Sequence, residues 1–136
     1  MVLTSGAFVA GHVWLLVKSL LERPTGRSPA VAIAAIEELP VGGAKTFQYP
    51  AGSPPRLLVR TGATSFVAYD QQCTHLACPV VPMVALGRLH CPCHNGWFDL
   101  STGRPVAGPP QRPLPRVALE MRDGSVYATG VEEPSS

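Results

Sequence analysis

The chain has 136 residues, which allows one domain of ordinary size and a short additional segment. Its formal net charge of +2 is too small to indicate nucleic-acid binding. Fifteen prolines and thirteen glycines favour a loop-rich β protein over a helical one.

Residues 2–21 are almost continuously apolar, with His12 and Lys18 as the strongly polar exceptions. As a helix this segment would rise about 30 Å, the thickness of the hydrocarbon core of a bilayer. No Ala-x-Ala cleavage pattern follows it and no basic region precedes it, so a removable signal peptide fits poorly. We predict a single uncleaved transmembrane helix over residues 1–22. The alternative is an amphipathic or buried helix that packs on a partner, and His12 is expected to face a neighbouring helix or water rather than to bind haem.

The segment after this helix is rich in Pro, Gly and Ser, and residues 23–30 are predicted to form a flexible linker. Lys18, Arg23 and Arg27 all lie on the C-terminal side of the helix. By the positive-inside rule, this distribution of charge would place the globular domain on the cytoplasmic side of a membrane.

Short apolar runs separated by Gly/Pro turns predict an all-β domain, a sandwich or barrel, over residues 31–131. Two hairpins are predicted, one from residues 56–60 and 65–70 and a last one from residues 116–121 and 125–129. The other predicted strands are 31–36, 44–49, 88–91 and 97–100. Residues 132–136 are predicted to be a frayed tail.

All four cysteines and three of the four histidines lie between residues 73 and 94. Thiolates and imidazoles are the ligands that zinc and iron–sulfur clusters select. Structural zinc usually takes Cys-x2-Cys pairs, and the sequence has none. The chain instead offers Cys73 with His75 and Cys91 with His94, and two Cys with two His suit a [2Fe–2S] cluster. Zinc, or a purely structural group of cysteines, is the alternative.

The two segments that carry these residues resemble the Rieske family, through Cys-Thr-His-Leu-Ala-Cys at 73–78 and Cys-Pro-Cys-His-x-x-x-Phe-Asp at 91–99. The resemblance implies a domain of three stacked antiparallel sheets with one [2Fe–2S] cluster at its tip. It also implies a disulfide between Cys78 and Cys93, for which two buried free thiols are the alternative. The ligands that it implies are Cys73, His75, Cys91 and His94.

The resemblance further implies how the cluster is surrounded. Residues Gly108, Pro109 and Pro110 stand where the family has a proline loop that covers the cluster. Leu76 matches a leucine that faces the docking partner. His90 is expected to be a surface strand residue, since the ligand set is complete without it. The other residues expected around the cluster are Thr74, Ala77, Asn95, Gly96 and Phe98.

The second segment departs from the pattern of high-potential members of the family. Those members carry a Ser and a Tyr whose hydroxyls donate to cluster sulfurs and raise the reduction potential. Gly96 and Phe98 occupy the matching positions, and neither has a hydroxyl. We therefore expect a potential in the lower or middle part of a window of roughly −150 to +300 mV.

The chain shows no nucleophile, paired carboxylates or phosphate-binding loop outside this region, which favours an electron-transfer subunit over an enzyme complete in itself. The resemblance implies proton-coupled one-electron transfer, with a cytochrome b-type quinol-oxidising core, quinol and a cytochrome acceptor as partners. It also implies a membrane-anchored head on the outer side, contrary to the positive-inside rule, and a linker that acts either as a hinge or as a passive spacer. The alternatives are a small subunit of an oxidoreductase such as an arsenite-oxidase-like molybdoenzyme, and a metal-stabilised binding module without redox activity.

Overall fold

The computed structural model describes residues 12–18 and 29–134. Residues 12–18 are helical and their side chains are exposed. Among the described residues, no helix has both the length and the apolar character needed to cross a bilayer. The remainder of the predicted anchor, residues 1–11 and 19–22, and most of the predicted linker, residues 23–28, lie outside the described part of the chain.

Residues 29–134 contain ten strands, and six of them form one antiparallel sheet. Its strands are β1 (Val31–Ala35), β2 (Ala44–Gln48), β3 (Pro55–Arg60), β4 (Phe66–Asp70), β9 (Arg116–Arg122) and β10 (Ser125–Glu132). They lie in the order β1-β10-β9-β4-β3-β2. Both predicted hairpins are present in this sheet, since β3 pairs with β4 and β9 pairs with β10.

The other four strands form a smaller antiparallel sheet in sequential order. One of its faces is buried by Leu89 and Phe98, which lie opposite each other and are fully inaccessible. On the other face His90 lies opposite Trp97, as the two-residue period of a strand requires. The strands are β5 (Val81–Met83), β6 (Arg88–Cys91), β7 (Gly96–Asp99) and β8 (Pro105–Ala107).

Two apolar cores hold the domain together. One is formed mainly by side chains of the large sheet and includes Leu58, Val117 and Val126. The other lies between the two sheets, and it buries the side chains of Cys73 and Cys91 among Leu and Val residues. The core between the sheets therefore extends to the two segments that carry the cysteines.

Tyr69 of β4 fastens the two sheets to each other. Its side chain is fully buried, and its hydroxyl donates a hydrogen bond of 3.1 Å to the carbonyl of Leu100, which follows β7. Burial raises the pKa of the Tyr69 phenol, so the hydroxyl keeps its proton and remains a donor. A methyl group at Gly103 would lie 2.7 Å from the Tyr69 ring, so only glycine fits there.

The sheet arrangement differs from the three sheets that the resemblance implies. Within the described residues there are two, because Tyr69 of β4 pairs with Arg116 of β9 and thereby joins what would be two three-stranded sheets. The predicted tail also begins too early, since Glu132 pairs with Arg116 and belongs to β10. Strands β5 and β8 were not predicted. Each has three residues and contains a proline, which weakens the sequence signal of a strand.

Candidate metal centre

Two loops at one end of the small sheet carry the cysteines and the exposed histidines. The first Cys/His loop, residues 73–78, connects β4 to β5, and the second Cys/His loop, residues 91–99, includes the turn between β6 and β7. The first loop closes on itself, because the Cys73 amide donates to the Cys78 carbonyl at 2.8 Å and the Ala77 amide donates to the Cys73 carbonyl at 2.9 Å. Ala77 adopts φ 59°, a left-handed conformation that tightens this loop.

A disulfide between Cys78 and Cys93 joins the two loops, as the resemblance implies. The two Cα atoms lie 6.4 Å apart and the residues are 15 positions apart in sequence. In the chain-entropy model, closing a loop of this length stabilises the folded state by ~3 kcal/mol. The disulfide therefore holds the loops side by side independently of any bound group.

The four remaining Cys and His side chains of the two loops divide into an inner and an outer pair. Cys73 and Cys91 form no disulfide and are buried, at 4% and 2% exposure. His75 and His94 are exposed, and their ring centroids lie 4.9 Å apart with the rings nearly perpendicular. The structure thus brings the two predicted cysteine ligands together and the two predicted histidine ligands together.

The burial of the two neighbouring thiols indicates what the inner pair requires. Burial is the main cause that raises the pKa of the Cys73 thiol, and the neighbouring Cys91 thiol raises it further. Two adjacent thiolates in an apolar core need a positive charge to offset their own, which a metal centre supplies.

The donor chemistry of the two pairs, soft sulfur inside and imidazole nitrogen outside, fits a Rieske-type [2Fe–2S] cluster. The described residues contain no group of three or more His, Cys, Asp or Glu placed for a single metal ion. The fit therefore rests on the chemistry of the four donors and on their proximity in pairs.

The proline loop, residues 108–110, packs directly on the second Cys/His loop. Gly108 has φ +82°, and a methyl group there would lie 2.5 Å from the Asn95 carbonyl oxygen and 2.9 Å from the Gly96 Cα. In the opposite direction, a methyl group at Gly96 would lie 2.8 Å from the Pro110 side chain. The two loops touch backbone to backbone, and each needs a glycine at the contact.

The other residues predicted around the centre take three different positions. The Thr74 hydroxyl donates to the Arg112 carbonyl at 2.7 Å, which ties the first Cys/His loop to the chain after the proline loop. Leu76 is 63% exposed and follows His75 in the sequence. Phe98 is fully buried in the core between the sheets.

A partly buried ion pair at the base of the first Cys/His loop was not predicted from the sequence. Asp70 ends β4 and forms a salt bridge with Arg56, whose side chain also donates to the Tyr49 carbonyl at 2.6 Å. Burial raises the pKa of Asp70, while the charge of Arg56 opposes that rise. The sequence could have indicated this ion pair, because Arg56 and Asp70 lie at facing ends of a predicted hairpin.

Comparison with known proteins identifies the family of the domain. A family model described as the Rieske [2Fe-2S] domain matches residues 30–118, which is more than half of the chain. The chain belongs to the Rieske family. A domain of this family binds a [2Fe–2S] cluster, so the cofactor predicted from the sequence is confirmed.

Among curated proteins, the chain is 46% identical over 107 residues to a carotenoid phi-ring synthase of Chlorobaculum tepidum, covering 78% of this chain and 16% of that protein. It is 34% identical over 119 residues to the iodate reductase subunit IdrB of Denitromonas iodatirespirans, covering 76% and 63%. It is 39% identical over 83 residues to the Rieske iron-sulfur subunit of the Corynebacterium efficiens cytochrome bc1 complex, covering 55% and 20%. The chain thus spans less than two thirds of the length of each of these three relatives.

The fold is also similar to that of a solved structure, the soluble domain of Rieske protein II from Sulfolobus acidocaldarius. The TM-score is 0.67 at 24% sequence identity, with 79% of this chain and 81% of that chain covered. This likeness supports the fold of the domain.

The contact between the proline loop and the second Cys/His loop can be tested with Gly108→Ala. The added methyl group meets backbone atoms that cannot move aside cheaply, so we expect a loss of about 1–3 kcal/mol of stability beyond that of the control. The control is Gly42→Ala, since Gly42 has φ +84° and no atom within 4 Å of the added methyl group. Urea unfolding measures both variants, and equal losses would show that only backbone strain matters at Gly108.

Proposed function

We propose that this chain is a one-electron carrier whose [2Fe–2S] cluster is held by Cys73 and Cys91 on one iron and by His75 and His94 on the other. The observation that carries the proposal is the arrangement of these four side chains in two disulfide-linked loops, with both thiols buried and both imidazoles exposed. Bound in this way, the cluster supplies reversible one-electron chemistry at the surface of the domain.

The residues around the centre have different roles in the proposed function. The apolar core around Cys73 and Cys91 keeps water away from their sulfur atoms. The proline loop packs on the second Cys/His loop. His75 and His94 are exposed, so an imidazole that held the cluster through one ring nitrogen would leave its other nitrogen available to solvent or to a partner. Leu76 adds an exposed apolar contact beside them, which suits transient docking.

The proposed setting is a membrane-associated oxidoreductase complex. The similarity to a cytochrome bc1 Rieske subunit supports a subunit of a quinol-oxidising complex, with a cytochrome b-type core and a cytochrome acceptor. The second candidate is the small electron-transfer subunit of another oxidoreductase. It is favoured by the longer match to the iodate reductase subunit and by the missing hydroxyls at Gly96 and Phe98. Anchoring by residues 1–22 remains a prediction in either case.

The two settings differ in what reduces the cluster. The full chain, isolated in mild detergent with the proteins that accompany it, is mixed with a reduced quinol and followed by the spectrum of the cluster. Reduction that a quinol-site inhibitor blocks supports the quinol-oxidising complex. Reduction that instead requires a co-purified catalytic subunit and its substrate supports the second candidate. A cluster that neither donor reduces contradicts both.

The proposed ligand set predicts the effect of replacing each exposed histidine. We expect His75→Ser and His94→Ser each to lose most of the bound iron, because one iron would keep a single protein nitrogen donor. His12→Gln is the control, since His12 lies outside the matched domain. Iron per chain is measured, together with pulsed electron paramagnetic resonance of protein labelled with 15N-histidine. Nitrogen couplings from fewer than two histidines in the unaltered chain would contradict the assignment.

The missing hydroxyls predict a reduction potential that Phe98→Tyr should raise. A donor that gains about 1 kcal/mol on reduction of the cluster raises the potential by about 40 mV for one electron. Phe47→Tyr is the control, because Phe47 packs against the core of the large sheet and not the core that contains Cys73 and Cys91. Redox titration decides the matter, and a potential of the unaltered chain near +300 mV would count against the expectation.

A further inference from the structure

Asn95 follows His94 directly and adopts a backbone conformation that favours glycine. Its φ is 54°, in the left-handed region that L-residues avoid, although Asn tolerates it better than most. A residue held there needs contacts that compensate the cost. The contacts of Asn95 come from three different segments of the domain.

Two half-buried aromatic side chains, on the face of the small sheet opposite Leu89 and Phe98, bind the Asn95 side chain. Its Oδ1 accepts a hydrogen bond from Trp97 Nε1 at 3.0 Å and lies 3.1 Å from His90 Nε2. The His90 and Trp97 rings stack, with centroids 4.1 Å apart and planes inclined by 24°. Both rings point to the same side because His90 and Trp97 are directly opposed in the β6–β7 pair.

The chemistry of the indole fixes the direction of these hydrogen bonds. An indole N–H can only donate, so the Asn95 amide must present its oxygen and not its nitrogen to Trp97. His90 Nε2 faces the same oxygen and must then carry the hydrogen of its ring. The Asn95 amide is thus held in one orientation by two donors.

The backbone of Asn95 is held from another side by the proline loop. Gly108 approaches the Asn95 carbonyl oxygen so closely that a single methyl group there would lie 2.5 Å away. Contacts from His90 of β6 and Trp97 of β7 therefore hold the Asn95 side chain, and close packing of the proline loop restricts its carbonyl. Each contact restricts the residue that directly follows His94.

We propose that Asn95, Trp97 and His90 form a clamp that positions His94 at the metal centre. The two hydrogen bonds offset the energetic cost of the left-handed conformation of Asn95. That conformation sets the direction in which the chain leaves His94. The clamp rests on the proposed function, in which His94 is a ligand. Asn95 and its two partners are positioning residues, since none of them is a ligand in the proposed set.

The test is a double-substitution cycle on the purified full chain. Trp97→Phe keeps a ring that can stack on His90 but removes the N–H donor. We expect it to release iron to a chelator about fivefold faster, as the loss of one hydrogen bond predicts, and to shift the 15N couplings of the histidine ligands. In the Asn95→Gly background the same change should do neither, because glycine reaches φ 54° without a side-chain contact.

Three results would overturn the clamp. Trp97→Phe could leave both iron release and the 15N couplings unchanged. It could change them equally in the Asn95 and Asn95→Gly backgrounds, which would indicate packing by the Trp97 ring. It could also speed iron release without any spectroscopic shift, which would indicate general loosening of the domain. If Trp97→Phe does not fold, His90→Phe takes its place, since it removes the other donor and keeps a ring on Trp97.

The unaltered chain separates this inference from the proposed function. Absence of two-histidine 15N couplings in that chain would refute the ligand assignment, whatever the variants do. Their presence, combined with variants that do not differ from it, would refute the clamp alone. Tyr127→Phe is the matched control, because it removes a polar group from an aromatic ring that contacts Arg122 away from both Cys/His loops.

Discussion

The metal centre depends on holding two loops from separate parts of the chain in contact while their sulfurs point inward and their imidazoles point outward. Three contacts impose this arrangement. The Cys78–Cys93 disulfide joins the loops covalently, the core between the sheets buries Cys73 and Cys91, and the proline loop packs on the second Cys/His loop. These contacts involve only protein atoms, so the protein itself holds the two loops in this arrangement.

The strands of the two sheets fix the point at which each Cys/His loop begins. Cys73 follows β4, which is the strand that connects the halves of the large sheet, and the partly buried Arg56–Asp70 pair lies at the end of that strand. Cys91 ends β6, and its loop returns immediately as β7. The Tyr69 hydroxyl joins β4 to the end of β7 through the Leu100 carbonyl, so the strands that carry both loops form one rigid support.

The sequence was sufficient for the parts of the structure that depend on local pattern. The Cys/His spacing indicated the cofactor, and the hairpins around residues 61–64 and 122–124 followed from apolar runs and turn residues. What it could not show depends on distant pairing. Whether the strands form two or three sheets rests on a single pair, Tyr69 with Arg116, and the contacts of Asn95 require the register of β6 against β7. His90 was expected to be a surface residue, and only that register places it beside Asn95 and Trp97.

The same packing bears on the electronic properties proposed for the centre. Gly96 is the residue that would carry a hydroxyl in the high-potential pattern, and the Pro110 side chain fills the space that any side chain there would need. Phe98 lies on the buried face of β7 opposite Leu89, in the same core as Cys73 and Cys91, where a hydroxyl would need a hydrogen-bond partner. The sulfur atoms of the centre are the partners that the Phe98→Tyr prediction requires. The proline loop thus excludes a donor at Gly96 by packing, whereas Phe98 lacks one because its ring carries no hydroxyl, and the lower potential proposed here rests on both.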